Sequence, residues 1–96
     1  MRKEEVLSLL RSRWPELCAL GVEELYLFGS VARGEATPGS DVDLLVVFAS
    51  PPGFEGYWRV KEFLESILGN PVDLVMKGAL KPWAAPQVLR EAVRVA

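Results

Sequence analysis

Leu25-Tyr26-Leu27-Phe28-Gly29-Ser30 and, ten residues further on, Asp41-Val42-Asp43-Leu44-Leu45-Val46-Val47-Phe48 decide how this chain folds. Both are short apolar runs. The first stops at a glycine and a serine; the second starts at two aspartates. The run from Val42 is apolar on both faces apart from Asp43, as expected of a central strand with cover on either side. Between the runs a brief helical turn is expected around Ser30 to Arg33. Gly34 to Ser40, with two glycines and a proline, reads as loop.

Outward from this pair, the pattern alternates. Val6, Leu10, Trp14 and Leu17 recur at helical spacing, with Leu7, Leu9 and Cys18 beside them, so residues 3–20 read as an amphipathic helix. Pro15 removes a backbone donor and should kink or split it, and Gly21 is a natural stop. Downstream, Trp58, Val60, Phe63, Leu64, Ile67 and Leu68 mark a second amphipathic helix. Val72 to Met76 reads as a third strand, residues 78–85 as irregular, and Pro86 to Val95 as a closing helix. Helices alternating with strands over 96 residues indicate one α/β domain, residues 1–96, with a small mixed sheet and flanking helices.

The acids are unevenly used. Ten are glutamates, mostly on expected helices; the three aspartates, Asp41, Asp43 and Asp73, all fall at or inside expected strands. Aspartate is a poor strand former, and a local rule broken in this way marks a candidate functional site. Asp41 and Asp43 are two apart and so project to one side of a strand. Asp73 joins them if its strand pairs with theirs. Three clustered carboxylates repel one another unless cations lie between them. Oxygen-only ligands select hard ions, Mg²⁺ or Mn²⁺. Gly29 permits a tight turn with close backbone approach. Ser30 adds a hydroxyl and an N–H where a phosphate oxygen can dock, and Arg33 follows one turn later.

Composition excludes several chemistries. There is no histidine, which removes Ser-His-Asp and Cys-His catalysis, and the single cysteine, Cys18, allows no internal disulfide and no Cys-rich zinc site. Cys18 is expected in the core. The net charge of −2, with eleven scattered basic residues, argues against direct nucleic-acid binding. Met1 to Glu5 lacks the apolar core of a signal peptide, and no apolar stretch approaches the ~20 residues that span a bilayer. A cytoplasmic protein without membrane contact is expected.

The segment Leu27-Phe28-Gly29-Ser30-Val31-Ala32-Arg33-Gly34-Glu35, with Ser40-Asp41-Val42-Asp43-Leu44 and the later Val72-Asp73-Leu74, resembles the signature of the DNA polymerase beta-type nucleotidyltransferases. Ala-Arg-Gly after Gly-Ser is similar to the minimal (MNT) group, and the resemblance covers nearly the whole chain. It implies that Asp41 and Asp43 bind metal, two Mg²⁺ ions with Mn²⁺ as substitute. It implies that Gly29 and Ser30 hold the triphosphate, and that Asp73 supplies the third carboxylate, which helps hold metal and accepts the attacking hydroxyl's proton. Arg33 matches the motif and is grouped with the nucleotide-binding residues. The resemblance further implies transfer of NMP, AMP from ATP, to a hydroxyl. The acceptor is expected on a helical HEPN-type protein partner, with the chain as antitoxin of a toxin–antitoxin pair.

A competing reading is a non-catalytic module that binds nucleotide and neutralises its partner stoichiometrically. Intact aspartates favour catalysis, since a pure binder has no need of clustered acids. Lys77 and Lys81, after the third strand, read as solvated surface. Trp83, in a Pro-rich stretch that packs poorly as helix, is the candidate interface aromatic. A domain this small buries only about 60–65% of its unfolded surface, so further burial in a homo- or hetero-oligomer is expected to matter.

Overall fold

The computed structural model describes residues 1–96. The chain runs α1 (Lys3–Ser12), α2 (Trp14–Ala19), β1 (Val22–Phe28), α3 (Gly29–Arg33), β2 (Val42–Phe48), α4 (Gly53–Leu68), β3 (Val72–Met76), a 3-10 turn (Lys77–Ala79), α5 (Ala85–Glu91) and β4 (Val93–Arg94). The sheet order is β3-β2-β1-β4. β1 lies antiparallel to β2 and to β4, while β2 and β3 are parallel, joined by α4. This is a mixed sheet with flanking helices, and β2 is central as its two-sided apolar run requires.

Alternation along the strands sorts the residues into two faces. Leu25 and Leu27, Leu44 and Val46, and Val72 and Leu74 point to one face and are buried. There they meet Val6, Leu7 and Leu10 of α1, Leu17 of α2, and Val60, Leu64 and Leu68 of α4 in one continuous cluster. Residues at i, i+4 and i+8 of α4 make that stripe, the spacing an amphipathic helix needs. The opposite face carries Tyr26, Phe28, Asp43, Leu45, Val47, Asp73 and Val75. Leu45 alone among them is fully buried, outside the main cluster. One face of the sheet is therefore thickly covered and the other thinly.

The first helix divides at Arg13, as Pro15 required, and the proline ring fits the first turn of the new helix. The structure departs from the sequence reading in three places. The closing helix ends at Glu91, and Val93–Arg94 leave it to pair with Leu27 and Tyr26. The apolar Val93 and Val95 that suggested a helical stripe serve instead as an edge strand and its anchor: the Val95 N–H donates to Leu25 O at 2.8 Å. Trp58 sits outside the buried stripe of α4, 45% exposed. Cys18 is exposed, not core. α2 has six residues and fully buries Leu17 alone, and Cys18 beside it turns outward.

Cys18→Ser should consequently change stability by less than about 0.5 kcal/mol, and the native thiol should react with a thiol reagent without denaturant. Leu17→Ala, one position away, should cost about 2–5 kcal/mol. Chemical denaturation of the two variants and a thiol titration of the native protein check both expectations.

Candidate functional site

The thin face holds the predicted site at one edge. In the parallel ladder Asp43 is the register partner of Asp73, and in the antiparallel ladder it is the partner of Phe28. The end of β1 and the starts of β2 and β3 therefore lie in one row. Asp43 and Asp73, side by side on adjacent strands, share the thin face. Asp41 lies just before β2, on an exposed extended residue two positions from Asp43. Sequence alone did not establish that β2 and β3 pair; their parallel register is what joins the third aspartate to the first two.

Gly29 completes the row. Its φ is +74°, and a Cβ there would fall on Oδ2 of Asp43 and 2.9 Å from its Cγ. The Asp43 carboxylate thus occupies the space a side chain at position 29 would need. The backbone turns directly into α3, with Ser30 half-buried in its first turn and Val31 buried beneath. The first N–H groups of a helix have no partner inside it, so the Gly29-Ser30 turn presents donors beside the acids.

The electrostatics of Asp43 follow from this crowding. Partial burial is the largest influence and raises its carboxyl above the ordinary aspartate value near 3.8; the charges of Asp73 and then Asp41 push the same way, and Arg33 opposes them. The group is half-buried, among anions, and resists ionisation. Its environment is one that a cation would relieve.

The three carboxylates fit a hard divalent ion by donor type and by register. Their present side-chain positions do not close into a group that encloses one. Asp41 and Asp73 are exposed, so closure requires rotation of surface side chains and no movement of strands.

Arg33 is otherwise engaged. Its Nε donates to Glu35 at 2.7 Å and its Nη1 to Glu91 on α5 at 3.0 Å. Its nearest described partners are these carboxylates, and it ties α3 to α5 beside the site. Sequence reasoning missed Glu91, which stands 58 residues from Arg33 in the chain and carries no local signal. It also missed the cluster around Tyr26. The Tyr26 hydroxyl donates to Glu24, and the ring has Lys77 Nζ at 5.9 Å and Arg94 Cζ at 5.7 Å from its centroid. Lys77, read as plain surface, is thus placed on the face that carries the acids.

Comparison with known proteins places this geometry. The model of the nucleotidyltransferase domain family matches residues 3–95. The protein adenylyltransferase MntA of Thermococcus cleftensis is 47% identical over 93 residues, spanning 96% of this chain and 94% of its own. A solved structure assigned as a minimal nucleotidyltransferase superposes with a TM-score of 0.80 at 44% identity, covering 97% of this chain and 95% of that one. A toxin–antitoxin crystal structure with AMP-PNP gives a TM-score of 0.70 at 26% identity, over 100% of this chain and 73% of that one.

Two stability experiments probe the row. Gly29→Ala and Gly34→Ala both place a side chain at positive φ, but a Cβ at Gly34 meets nothing within 4 Å. Both variants should lose about 1–2 kcal/mol for the backbone, and Gly29→Ala should lose clearly more because it also displaces Asp43. Equal losses on thermal denaturation would rule out the packing of Asp43 against Gly29.

The second experiment uses pH, with divalent ions chelated. Asp43 takes up its proton at higher pH in the fold than in the unfolded chain. Between those two pKa values the folded state holds more protons, so stability falls as pH rises through that window, upward from about 3.8. Asp43→Asn should flatten that fall and melt higher than the parent at neutral pH. Parallel melting curves for the two proteins across the acid range would contradict the assignment.

Proposed function

Because the chain belongs to the nucleotidyltransferase domain family, we propose that it is a metal-dependent protein adenylyltransferase that moves AMP from ATP to a hydroxyl of a helical partner protein. The observation that carries this reading is the single row of Asp43, Asp73 and the Gly29-Ser30 turn, with Asp41 alongside. The 47% identity to a protein adenylyltransferase supports protein as acceptor. The related toxin–antitoxin structure with AMP-PNP supports an adenine nucleotide and a toxin as partner. The resemblance of the motif adds that the toxin is of the HEPN type and that this chain is its antitoxin.

In this reading Asp41, Asp43 and Asp73 would hold two Mg²⁺ ions, or Mn²⁺, which when bound would supply charge stabilisation for an in-line phosphoryl displacement. Ser30 and the N–H groups of the first turn of α3 hold the triphosphate and fix the α-phosphorus over the acids. The acceptor oxygen forms its bond to the α-phosphorus as the bond to the bridging oxygen of the β-phosphate breaks. Pyrophosphate leaves, and the hydroxyl proton passes to the Asp73 carboxylate. Arg33, held by Glu35 and Glu91, keeps a positive charge beside the phosphates and braces α3.

The acceptor is a macromolecule because this fold builds no pocket for a small one. The acids lie on the thinly covered face, exposed or half-buried, with no enclosing walls. Positioning must then come from the acceptor's own surface. Trp83, between β3 and α5, is 84% exposed and Leu89 on α5 is 46% exposed, apolar area that a docked protein would cover. The net charge of −2 disfavours a nucleic acid there.

The test mixes the protein, ATP and Mg²⁺ with the protein encoded beside its gene, and measures intact masses. The partner should gain the mass of one or more adenylyl groups, and Asp41→Asn or Asp43→Asn should reduce the rate at least ~100-fold, the scale expected when transition-state charge loses its stabilisation. Trp83→Ala should raise KM for the partner with little change in kcat. A partner that stays unmodified, yet is still silenced by the Asp variants, would establish a stoichiometric binding module instead.

A further inference from the structure

The outer face of α4, turned away from the acids, is exposed and carries an aromatic pair. Val60, Leu64 and Leu68 bury its inner side on the thickly covered face of the sheet. Its outer side carries Glu55, Arg59, Glu62 and Ser66, spaced four, three and four residues apart, so they form one straight stripe. Phe54 and Trp58 flank this stripe on one side and Phe63 on the other. Together they shape a shallow groove of about 530 Å³. Phe54 is 80% and Trp58 45% exposed. Their rings are stacked, with centroids 6.3 Å apart and planes 9° from parallel, and Lys61 Nζ lies 5.3 Å from the Trp58 centroid. A preformed aromatic pair at the surface is the kind of rigid, low-entropy element that anchors interfaces.

We infer that this face of α4 binds the same face of a second copy of the chain, the two helices antiparallel about a twofold axis. The charges decide the occupant. With the axis passing between Val60 and Lys61, Arg59 of each copy stands level with Glu62 of the other, and Glu55 with Ser66. Two reciprocal ion pairs form at the centre of the seam, and Phe54 and Trp58 of both copies cover one edge of it. A twofold interface requires a patch complementary to itself, and the order acid, base, acid, hydroxyl along one stripe meets that requirement. The stripe has two acids to one base, which rejects a phosphate backbone. It also lies on the face of the sheet opposite Asp43 and Asp73, where a docked acceptor could not reach the acids. In the dimer both acid rows therefore stay open to acceptors.

Sedimentation velocity and light scattering over a concentration series test this. The parent protein should be a dimer well below about 100 µM, and R59E or E62R should each raise the dimer Kd by about tenfold or more by placing like charges opposite one another. The double variant R59E/E62R restores both pairs with their signs exchanged, and should return the Kd to within about threefold of the parent, at the limit of what altered local context costs. Trp58→Ala should weaken the dimer while leaving the circular dichroism spectrum unchanged. A parent protein that is monomeric at about 100 µM, or a double variant as weak as either single one, would overturn the assignment.

Discussion

The carboxylate of Asp43 fills the space that any side chain at position 29 would occupy, and the rest of the molecule is arranged around that contact. It needs a residue without Cβ at the end of β1, a left-handed turn there, and an aspartate at the register position beside Phe28. Once those are fixed, α3 must start at once, and Ser30 falls in its first turn beside the acid. The parallel pairing of β3 then adds Asp73 at the same level. A shift of one residue in either ladder would send Asp43 into the apolar cluster or separate it from Asp73. The register is held from the other face, where Leu44, Val46, Leu25, Leu27 and Leu74 interlock with three helices.

The arrangement is unfavourable for an isolated protein. A half-buried carboxylate with two others beside it resists ionisation. An apolar residue at position 43 would suit the strand better. The acids therefore weaken the fold, and in the proposed function a cation bound among them would couple ligand binding to stability. The same coupling would extend to partners. Only 18 of 96 residues are buried, and a fold with so small a core gains proportionally from each apolar side chain that a docked surface covers.

Most of the candidate site's layout was legible because its signals are local. Aspartate inside a strand and Gly-Ser at a strand end each break a propensity rule within a few residues, and a break of that kind survives without the fold. What was not legible depends on distance. The bond from Arg33 to Glu91 spans 58 positions. The approach of Lys77 and Arg94 to the Tyr26 ring needs the order of the strands before it can be seen. Cys18 and Trp58 were misplaced for a different reason. Both stand beside truly buried residues, Leu17 and Val60, and the periodicity of so short a helix as α2, or of a helix apolar on both flanks like α4, does not fix which side faces the sheet. The closing strand failed because two residues are too few to show alternation, and Val93 with Val95 satisfies a helical pattern equally well.

The unequal cover of the two sheet faces sets how this domain is used. Helices α1, α2 and α4 spend the chain's apolar side chains on one face. The other fully buries Leu45 alone and leaves the acids at the rim. A larger enzyme would enclose that rim with a further layer, which would select the acceptor by the shape of a pocket. On the open face of this domain, the proposed function puts the selecting shape on the acceptor, and the exposed Trp83 and Leu89 would then count among the surfaces that select it. The outer side of α4 is exempt from that task because the sheet lies between it and the acids. The aromatic pair there would serve the inferred dimer contact, and the fold keeps that contact from competing with the acids for the same surface.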